Sequence, residues 1–380
     1  MSERKLASIQ KIVSLTTIPD ADKIETARVL NWDVVVKKGQ FKVGDLVVYI
    51  EIDSFVPNSL APFLTKEGKD PREYEGIKGE RLRTVRLKKQ LSQGLILPIP
   101  DTLQKVKEDK DVSEELGIIK YDVENQEEKV PAKQSKIFKI LMKHKWFRVT
   151  IGNRILKWKT GLTGGFPSHL IPKSDETRIQ GLVREFPAWK GTSGWSVSEK
   201  LDGQSATYYI EVKTNFLFFK KYLFGVCSRN MRIKKPDNGN HWTIAKKLDI
   251  DKKLIKASRN LKINFAIQGE IIGGKIQGNK YKRSELEFYI FTIRNLNDGS
   301  YFNNKQIEDF CALNGFNHVP YLEHNFTIPL SIDAIVAIAD GESAIEKGVL
   351  REGIVIRNNE NPRISFKAIS NKFLLKNDKD

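Results

Sequence analysis

The fold is decided by the stretch WSVSEKLDG (residues 195–203), in which a strand-like run ends at a lysine and opens a tight turn. Residues Trp195–Glu199 read as a strand, and the Asp202-Gly203 pair is typical of the turn that follows. A lysine held in this way can serve as the attachment point for a nucleotide. The pattern Lys-x-Asp-Gly is short, so its meaning depends on whether the partners of such a lysine follow it in the chain.

Length and composition indicate a basic protein of more than one domain. The chain has 380 residues, which suits two or three domains, and 40% of them are hydrophobic, which suffices for packed cores. Lys and Arg number 64 against 47 Asp and Glu. The resulting net charge of +17 favours a polyanionic partner, nucleic acid before a membrane surface.

Cysteine content and the N-terminus bear on the compartment. The two cysteines, Cys227 and Cys311, form neither a disulfide framework nor a cluster with zinc-ligand spacing. The N-terminus shows no apolar segment typical of a secretory signal, and no apolar run approaches the length of a membrane span. We therefore expect a cytoplasmic protein, or else a nuclear or viral one, with no membrane and no obligate protein partner.

Residues 1–100 predict a small β-barrel. An OB-fold is favoured by five strand-like runs in about a hundred residues, and other small barrels stay open as alternatives. The runs are Leu6–Leu15, Ala27–Val36, Asp45–Ile52, Arg81–Leu87 and Gly94–Ile99. Cations cluster on the fourth run and its turn, as on a nucleic-acid surface or a solvated edge strand: Arg81, Arg83, Arg86, Lys88 and Lys89.

Residues 101–165 read as a charged linker. Its acidic part, 101–128, has ten acids and four bases, and its basic part, 129–159, has ten bases and no acid. The basic part contains a predicted helix, Gln134–Lys145, and interleaved aromatic residues. Cations among aromatic rings suit a surface that follows a nucleic-acid backbone. Alternatively, the aromatic residues dock the segment onto a domain while the lysines face water.

Residues 166–380 predict an α+β domain of antiparallel sheets and helices, because the strands do not alternate regularly with helices. A helix is predicted over Lys305–Leu313, with Asn304 as its N-cap and Gly315 as its stop. The strand-like runs are Trp195–Glu199, Ser205–Val212, Ile263–Ile272, Leu286–Ile293, Gly353–Arg357 and Arg363–Ala368.

The residues downstream of Lys200 match the needs of nucleotidyl transfer. A lysine that attacks phosphorus must be neutral, so cations or a metal must lower its pKa from about 10.4. Phosphates need cations, a divalent metal needs carboxylates, and the base needs an apolar slot. Each candidate residue is ordinary alone, but their joint order favours one site: Arg229, Glu270, Phe288–Phe291, Glu352 and Lys367.

These segments resemble the motifs of the covalent nucleotidyltransferase superfamily, which comprises polynucleotide ligases and RNA capping enzymes. The residues of these segments most resemble those of ATP-dependent RNA ligases, since Arg351–Arg357 and Phe366–Lys376 are similar to their motifs IV and V. Pro172–Gln180 resembles the segment before motif I in the subgroup with an N-terminal OB domain. The resemblance implies an OB domain, 1–100, followed by an adenylyltransferase (ATP-grasp-like ligase) domain, 166–380.

The resemblance implies an RNA ligase that uses ATP together with Mg²⁺ or Mn²⁺. Its lysine takes AMP from ATP and passes it to an RNA 5′-phosphate, after which a 3′-hydroxyl displaces AMP and seals a break or a nicked duplex. Such an activity suits RNA repair. We expect the OB domain to grip the RNA, so that deletion of residues 1–100 impairs sealing more than adenylylation.

The resemblance also implies roles for particular residues. Lys200 is the implied nucleophile, Glu352 orients a hydrated metal that Glu270 can also approach, and Lys367 contacts the α-phosphate. Glu270 also holds the ribose. The implied nucleotide site comprises Glu199, Lys200, Asp202, Gly203, Arg178, Arg229, Glu270, Phe291, Glu352 and Lys367, with the two arginines on phosphate or ribose and Phe291 stacked on adenine.

Two positions depart from the family pattern. Ser365 stands where motif V often has a first lysine, and Thr292 stands where related ligases often have aspartate. The chain stops soon after motif V, which we expect of an RNA ligase more than of a DNA ligase or a GTP-dependent capping enzyme. Those two enzymes and a non-catalytic RNA-binding protein are the alternatives. The last is disfavoured by four intact residues: Lys200, Glu270, Glu352 and Lys367.

Neutralising Lys139, Lys143 and Lys145 with glutamine tests the basic part of the linker. We expect lower RNA affinity and a flatter dependence of that affinity on salt. A protein with fewer phosphate contacts releases fewer counterions from the RNA when it binds. Binding titrations over a series of salt concentrations measure both quantities. If the dependence of RNA affinity on salt is unchanged, these lysines face water and do not contact RNA phosphates.

Overall fold

The computed structural model describes residues 5–103, 107–121, 162–173, 175–214, 220–233 and 239–377. The basic part of the linker, with the predicted helix Gln134–Lys145, lies outside these ranges. Within them, the search for a helix long and apolar enough to cross a bilayer finds none.

The N-terminal unit is built from antiparallel strands around a barrel-like core. Its strands are β1 (Ala7–Thr17), β2 (Ile24–Val29), β3 (Trp32–Lys37), β4 (Leu46–Ile50), β5 (Ser54–Pro57), β6 (Arg72–Tyr74), β7 (Ile77–Arg81), β8 (Val85–Leu87), β9 (Gln90–Ser92), β10 (Leu95–Leu97) and β11 (Ile119–Lys120), with a 3₁₀ turn at Pro62–Leu64. One sheet has the order β10-β4-β1-β2-β3 and a second has β11-β5-β7-β6. A bulge between Ile12 and Ser14 lets the long β1 bend, and Trp32 and Tyr49 fill the interior.

Two of the predicted N-terminal strands were wrong as single elements. The run Ala27–Val36 is a hairpin of β2 and β3, and Leu30 at its tip has a φ of 53°. The run Arg81–Leu87 is divided between β7 and β8 because Leu82 turns inward and its N–H bonds to the Ser54 carbonyl. Its cations are therefore spread, and β8 forms a separate hairpin with β9 in which β8 is exposed and β9 is partly buried.

The N-terminal unit continues past the predicted boundary at residue 100. Val112 and Ile118 are buried in its core, and β11 pairs with β5. The described end of the acidic part, 107–121, is thus packed onto the barrel and is not a solvated linker. These apolar residues are too sparse among the acids to show as a pattern in the sequence.

The C-terminal unit has two sheets that share a junction at the turn after Lys200. Its strands are β12 (Leu162–Gly165), β13 (Trp195–Lys200), β14 (Gln204–Thr214), β15 (Lys220–Cys227), β16 (Met231–Ile233), β17 (Phe265–Ile272), β18 (Glu287–Asn295), β19 (Asn317–His318), β20 (Tyr321–Phe326), β21 (Gly353–Asn358) and β22 (Ser365–Ile369). The larger sheet has the order β12-β16-β15-β14-β17-β18-β19, and the smaller has β20-β13-β21-β22. Only β18 and β19 pair in parallel among the described strands, so the predicted α+β antiparallel arrangement is confirmed.

Helices cover both sheets of this unit. They are α1 (Phe186–Trp189), α2 (Asn240–Lys247), α3 (Ile250–Leu261), α4 (Asn304–Asn314), α5 (Ile332–Ala339) and α6 (Asn371–Asn377), with 3₁₀ turns at Ile179–Gly181 and Ile276–Asn279. The helix predicted over Lys305–Leu313 is α4, and Gly315 ends it in the left-handed conformation as expected. Its N-cap is Asn303 and not Asn304, because Asn303 and Gln306 form a reciprocal capping box.

Polar contacts join the two units. Asp333 at the start of α5 accepts hydrogen bonds from Arg28 and Asn31 on the tip of the N-terminal sheet. Arg184 pairs with Asp109 at 2.6 Å. Two further pairs across the same interface lead directly into the candidate site described next.

Candidate active site

The pairing of β13 with β21 brings Lys200 to Glu352. Lys200 lies opposite Gly353 in this antiparallel register, so the residue before Gly353 stands beside the lysine side chain. The distance from Lys200 Nζ to Glu352 Oε2 is 2.6 Å. Both side chains are partly exposed, which leaves room for a ligand to reach them.

Carboxylates surround the Lys200 ammonium group. Burial alone would lower the pKa of Lys200, but the nearby charges of Glu352, Glu270 and Asp202 outweigh it and raise that pKa above its ordinary value. Burial raises the pKa of Glu352 above its ordinary value, and the contact with Lys200 offsets part of that shift. The sequence analysis expected cations or a metal to lower the pKa of Lys200. The neighbouring residues are carboxylates that raise it, so the protein side chains alone do not lower this pKa.

The turn after Lys200 is held by backbone hydrogen bonds. The Asp202 N–H donates to the Tyr281 hydroxyl at 2.8 Å, and the Gly203 N–H donates to Glu270 Oε1 at 3.2 Å. A Cβ on Gly203 would lie 2.3 Å from the Ile271 carbonyl oxygen, so this position requires glycine. The turn therefore fixes Glu270 and Lys200 relative to each other.

Sequence reasoning missed Lys280 and Tyr281. The Lys280 ammonium pairs with the Asp202 carboxylate and lies over the Phe373 ring, 4.5 Å from its centroid. Both residues follow a glycine-rich loop, in which Gln277 and Asn279 have positive φ angles. In the sequence this loop has only the features of an ordinary turn. The fold places it beside the turn that follows Lys200, which the sequence does not indicate.

Phe291 borders a small apolar cluster next to the turn. The buried members are Leu201, Ile272, Tyr281 and Val319, with Tyr289, Phe291 and Ile345 at the edge. The Phe291 carbonyl accepts a 2.8 Å hydrogen bond from Arg357, and Arg357 in turn contacts Glu176. An aromatic ring at the rim of an apolar cluster can stack on a flat base.

A second group of charges is centred on Asp175. Its carboxylate lies 2.6 Å from Lys367 Nζ, 2.6 Å from Lys120 Nζ and 3.0 Å from Arg229 Nη2. Burial would raise the pKa of Asp175, but these three cations hold it well below its usual range. Two of the predicted phosphate-contacting residues, Lys367 and Arg229, are thus brought together, and Asp175 was not predicted.

Arg178 faces the N-terminal unit. Its Nη2 lies 2.9 Å from Asp53 Oδ2, and its guanidinium lies 5.8 Å from the centroid of the Trp32 ring. The Arg178 Nε and Nη1 groups are buried without a hydrogen-bond partner among the residues that the structure describes. The backbone of Arg178 forms an isolated parallel bridge with that of Lys367, which connects this segment to the strand that carries Lys367.

Glu199 points away from Lys200 because neighbouring residues of a strand face opposite sides. Its carboxylate is 1% exposed and accepts a 2.7 Å hydrogen bond from the Ala344 N–H. Burial raises the pKa of Glu199. In this arrangement the side chain anchors the loop before β21 and does not contact Lys200.

The two departures from the family pattern are both buried hydroxyls. Ser365 lies opposite Arg357 on β21, and Thr292 lies opposite Gln268 on β17. Ser365 faces the same side of β22 as Lys367, two residues on. Lys367 is therefore the single motif V cation at this place in the strand.

The carboxylates near Lys200 suit a hydrated divalent ion. Among the described residues, no three His, Cys, Asp or Glu side chains are close enough to bind a metal directly. Glu352 and Glu270 nevertheless present oxygen atoms around one space, and carboxylates often bind Mg²⁺ through its water molecules. This donor set fits a metal held through water.

Comparisons with known proteins were made on both units. A family model described as an OB-fold domain matches residues 6–99, and one described as RNA ligase matches residues 193–369. Among the curated proteins, a sequence search finds no match.

Solved structures of Naegleria gruberi RNA ligase match the whole chain. The form with PPi is 33% identical over 100% of both chains, with a TM-score of 0.78. A glutamate-to-alanine variant with ATP and Mn is 34% identical over 98% of both chains, with a TM-score of 0.77. A lysine-to-methionine variant with AMP and Mn is 33% identical over 98% of both chains.

The N-terminal barrel is therefore an OB-fold domain, as predicted, and the unit that carries Lys200 is a ligase domain. The likeness extends over nearly the full length of both chains at an identity that indicates common descent. This chain belongs to the RNA ligase family.

Proposed function

We propose that the chain is an ATP-dependent RNA ligase that joins a 3′-hydroxyl to a 5′-phosphate in RNA repair. One observation carries this proposal: Lys200 lies 2.6 Å from Glu352, among carboxylates and beside an apolar cluster. The related structures with ATP and Mn, AMP and Mn, and PPi support ATP and a divalent cation, Mn²⁺ or Mg²⁺, as its cofactors.

In the first step Lys200 is the nucleophile. Its neutral Nζ attacks the α-phosphorus of ATP, the bond from phosphorus to the pyrophosphate oxygen breaks, and Nζ loses a proton as lysyl-AMP forms. Lys367 and Arg229 supply positive charge to the phosphate oxygens. Phe291 stacks on the adenine, and Glu270 binds the ribose from its place beside the Gly203 N–H.

Glu352 and Glu270 would hold the divalent cation through its water molecules. When bound there, the cation supplies positive charge that offsets these carboxylates and favours the neutral form of Lys200. Asp202 keeps its own partner, Lys280, so the turn stays in place while the charge balance around Lys200 changes.

The later steps transfer AMP and then release it. An oxygen of the RNA 5′-phosphate attacks the AMP phosphorus, and the bond to Lys200 Nζ breaks. A 3′-hydroxyl then attacks the RNA 5′-phosphorus, and AMP leaves as the strand is sealed. The RNA ligase family supports RNA as the substrate over the alternatives of DNA sealing, GTP-dependent capping and binding without catalysis.

The OB domain has two roles in this proposal. Asp53 pairs with Arg178 and Lys120 pairs with Asp175, so the OB domain also supports the nucleotide site. Deleting residues 1–100 would remove Asp53 and therefore slow adenylylation as well, while the expectation that sealing is impaired more stays a prediction. RNA contact is assigned to the hairpin of β8 and β9.

The compartment is proposed from the cysteines. Cys227 and Cys311 are both buried and unpaired, as suits a reducing compartment such as the cytoplasm or the nucleus. Burial raises the pKa of each thiol to about 12, so neither acts as a nucleophile near neutral pH.

Incubation with labelled ATP or labelled GTP tests the reaction. We expect covalent label from ATP and none in the Lys200→Ala variant, because Lys200 is the proposed attachment point and its Nζ pairs with Glu352. Supplying nicked duplexes with RNA or DNA on the 3′-hydroxyl side should show sealing of the RNA strand. Label from GTP alone, or undiminished label in Lys200→Ala, would contradict the proposal.

The pH dependence of adenylylation tests the electrostatics of Lys200. Because the raised pKa keeps Lys200 protonated near neutral pH, the single-turnover rate should rise with pH until the lysine is neutral. The Glu352→Gln variant should move this rise to lower pH, since it removes the nearest anion. Its maximal rate should fall about 10–100-fold, because the hydrated cation loses an anchor.

The matched control for that experiment is Asp333→Asn, which removes a carboxylate far from Lys200 at the interface between the units. It should leave the pH profile in place. A profile that is identical in the native chain and Glu352→Gln would mean that Glu352 does not set the pKa of Lys200.

The hairpin of β8 and β9 offers a separate test of RNA contact. Changing Arg86, Lys88 and Lys89 to glutamine removes three exposed charges, and glutamine tolerates the positive φ of the last two about as well as lysine does. We expect weaker RNA binding and a higher KM for nicked RNA, with ATP labelling unchanged. Equal loss of labelling and sealing would show that the hairpin supports folding instead.

A further inference from the structure

Asp175 occupies the centre of the cations that are assigned to phosphate. Its Oδ1 contacts Lys367, and its Oδ2 contacts both Lys120 and Arg229, all within 3.0 Å. Three cations contact this one carboxylate, so positive charge outweighs negative charge among these four side chains. A phosphate group, with more oxygen atoms and more charge, would match these donors better than one carboxylate.

The cations come from three different parts of the fold. Lys367 lies on β22, Arg229 follows β15 in the other sheet, and Lys120 lies on β11 of the OB domain. Like charges repel, so the three side chains would separate without an anion between them. Asp175 therefore keeps the cations assembled when no phosphate is bound.

The backbone beside Asp175 is anchored independently of its carboxylate. The Lys367 N–H donates to the Thr177 carbonyl at 2.9 Å, and Glu176 contacts Arg357. Rotation about the Asp175 side-chain bonds can therefore move the carboxylate away while the segment keeps these contacts. The geometry permits exchange of one anion for another at this place.

We propose that Asp175 is an internal stand-in for a substrate phosphate, which holds Lys367, Arg229 and Lys120 together and is displaced when a phosphate binds. This inference rests on the proposed nucleotide site and adds a competitor to it. Asp175 is a positioning residue, and its carboxylate lowers phosphate affinity in exchange for a preassembled group of cations.

The opposite role is a permanent scaffold, in which Asp175 stays in contact with the cations while phosphate binds beside it. The two roles predict opposite signs for the Asp175→Asn variant. If Asp175 is a displaced competitor, its removal should tighten phosphate binding. The cations are then no longer occupied by the carboxylate, so phosphate does not have to displace it before binding. A lost scaffold leaves weaker binding.

Binding of inorganic tripolyphosphate, measured by calorimetry on the full chain, separates the two roles. The protein is first freed of AMP with pyrophosphate and dialysed. We expect Asp175→Asn to bind tripolyphosphate about 10-fold or more tightly than the native chain, which corresponds to a stand-in that occupies the site for about 90% or more of the time. Asp333→Asn, the matched loss of one carboxylate elsewhere, should bind as the native chain does, and Lys367→Ala should bind more weakly.

Equal or weaker binding by Asp175→Asn would overturn the proposal. So would absence of binding to the native chain, which would remove the Asp175 group as a phosphate site, whereas the proposed ligase activity is judged separately by labelling from ATP.

Discussion

The register between β13 and β21 is the constraint on which the site depends. It sets Lys200 opposite Gly353, and therefore beside Glu352, while Glu199 turns to the other face and is buried. A shift by one residue would exchange these faces and place a carboxylate where the nucleophile stands. Gly353 itself is constrained, because a Cβ there would lie 2.2 Å from the Ala368 carbonyl oxygen of β22.

Two groups of charge with opposite arrangements lie at the candidate site. Around Lys200 one cation meets several carboxylates, and around Asp175 one carboxylate meets several cations. Partly buried charges are costly to leave unpaired, so the central charge of each group is paired within the protein, and the surrounding charges are in excess of it. A metal adds positive charge to the first group and a phosphate adds negative charge to the second, which is why ATP with a divalent cation suits both together.

The sequence could predict residues whose roles are local to a motif, and it could not predict contacts that the fold creates. Lys200, Glu270 and Glu352 follow recognisable turns and strand ends, and they do converge. Asp175 lies in a segment whose family resemblance implied a role only for Arg178, and Lys280 lies in a polar loop. Only packing brings these two side chains to Lys367 and Asp202. The hairpin at Leu30 was missed for a different reason, since a two-residue turn between two β-branched runs leaves the hydrophobic pattern almost unbroken.

The OB domain is tied to the nucleotide site by charge. Arg178 is buried and its ion partner across the interface is Asp53, while Lys120 reaches Asp175 from β11. Removal of the OB domain would take away the Asp53 carboxylate that pairs with Arg178. It would also take away Lys120, one of the three cations that contact Asp175. Removing one partner of a buried ion pair destabilises a protein by several times the net contribution of that pair. The stability of the ligase domain therefore depends on the OB domain. In the proposed function the two units therefore contribute together to the nucleotide site, through the pairs of Asp53 with Arg178 and of Lys120 with Asp175.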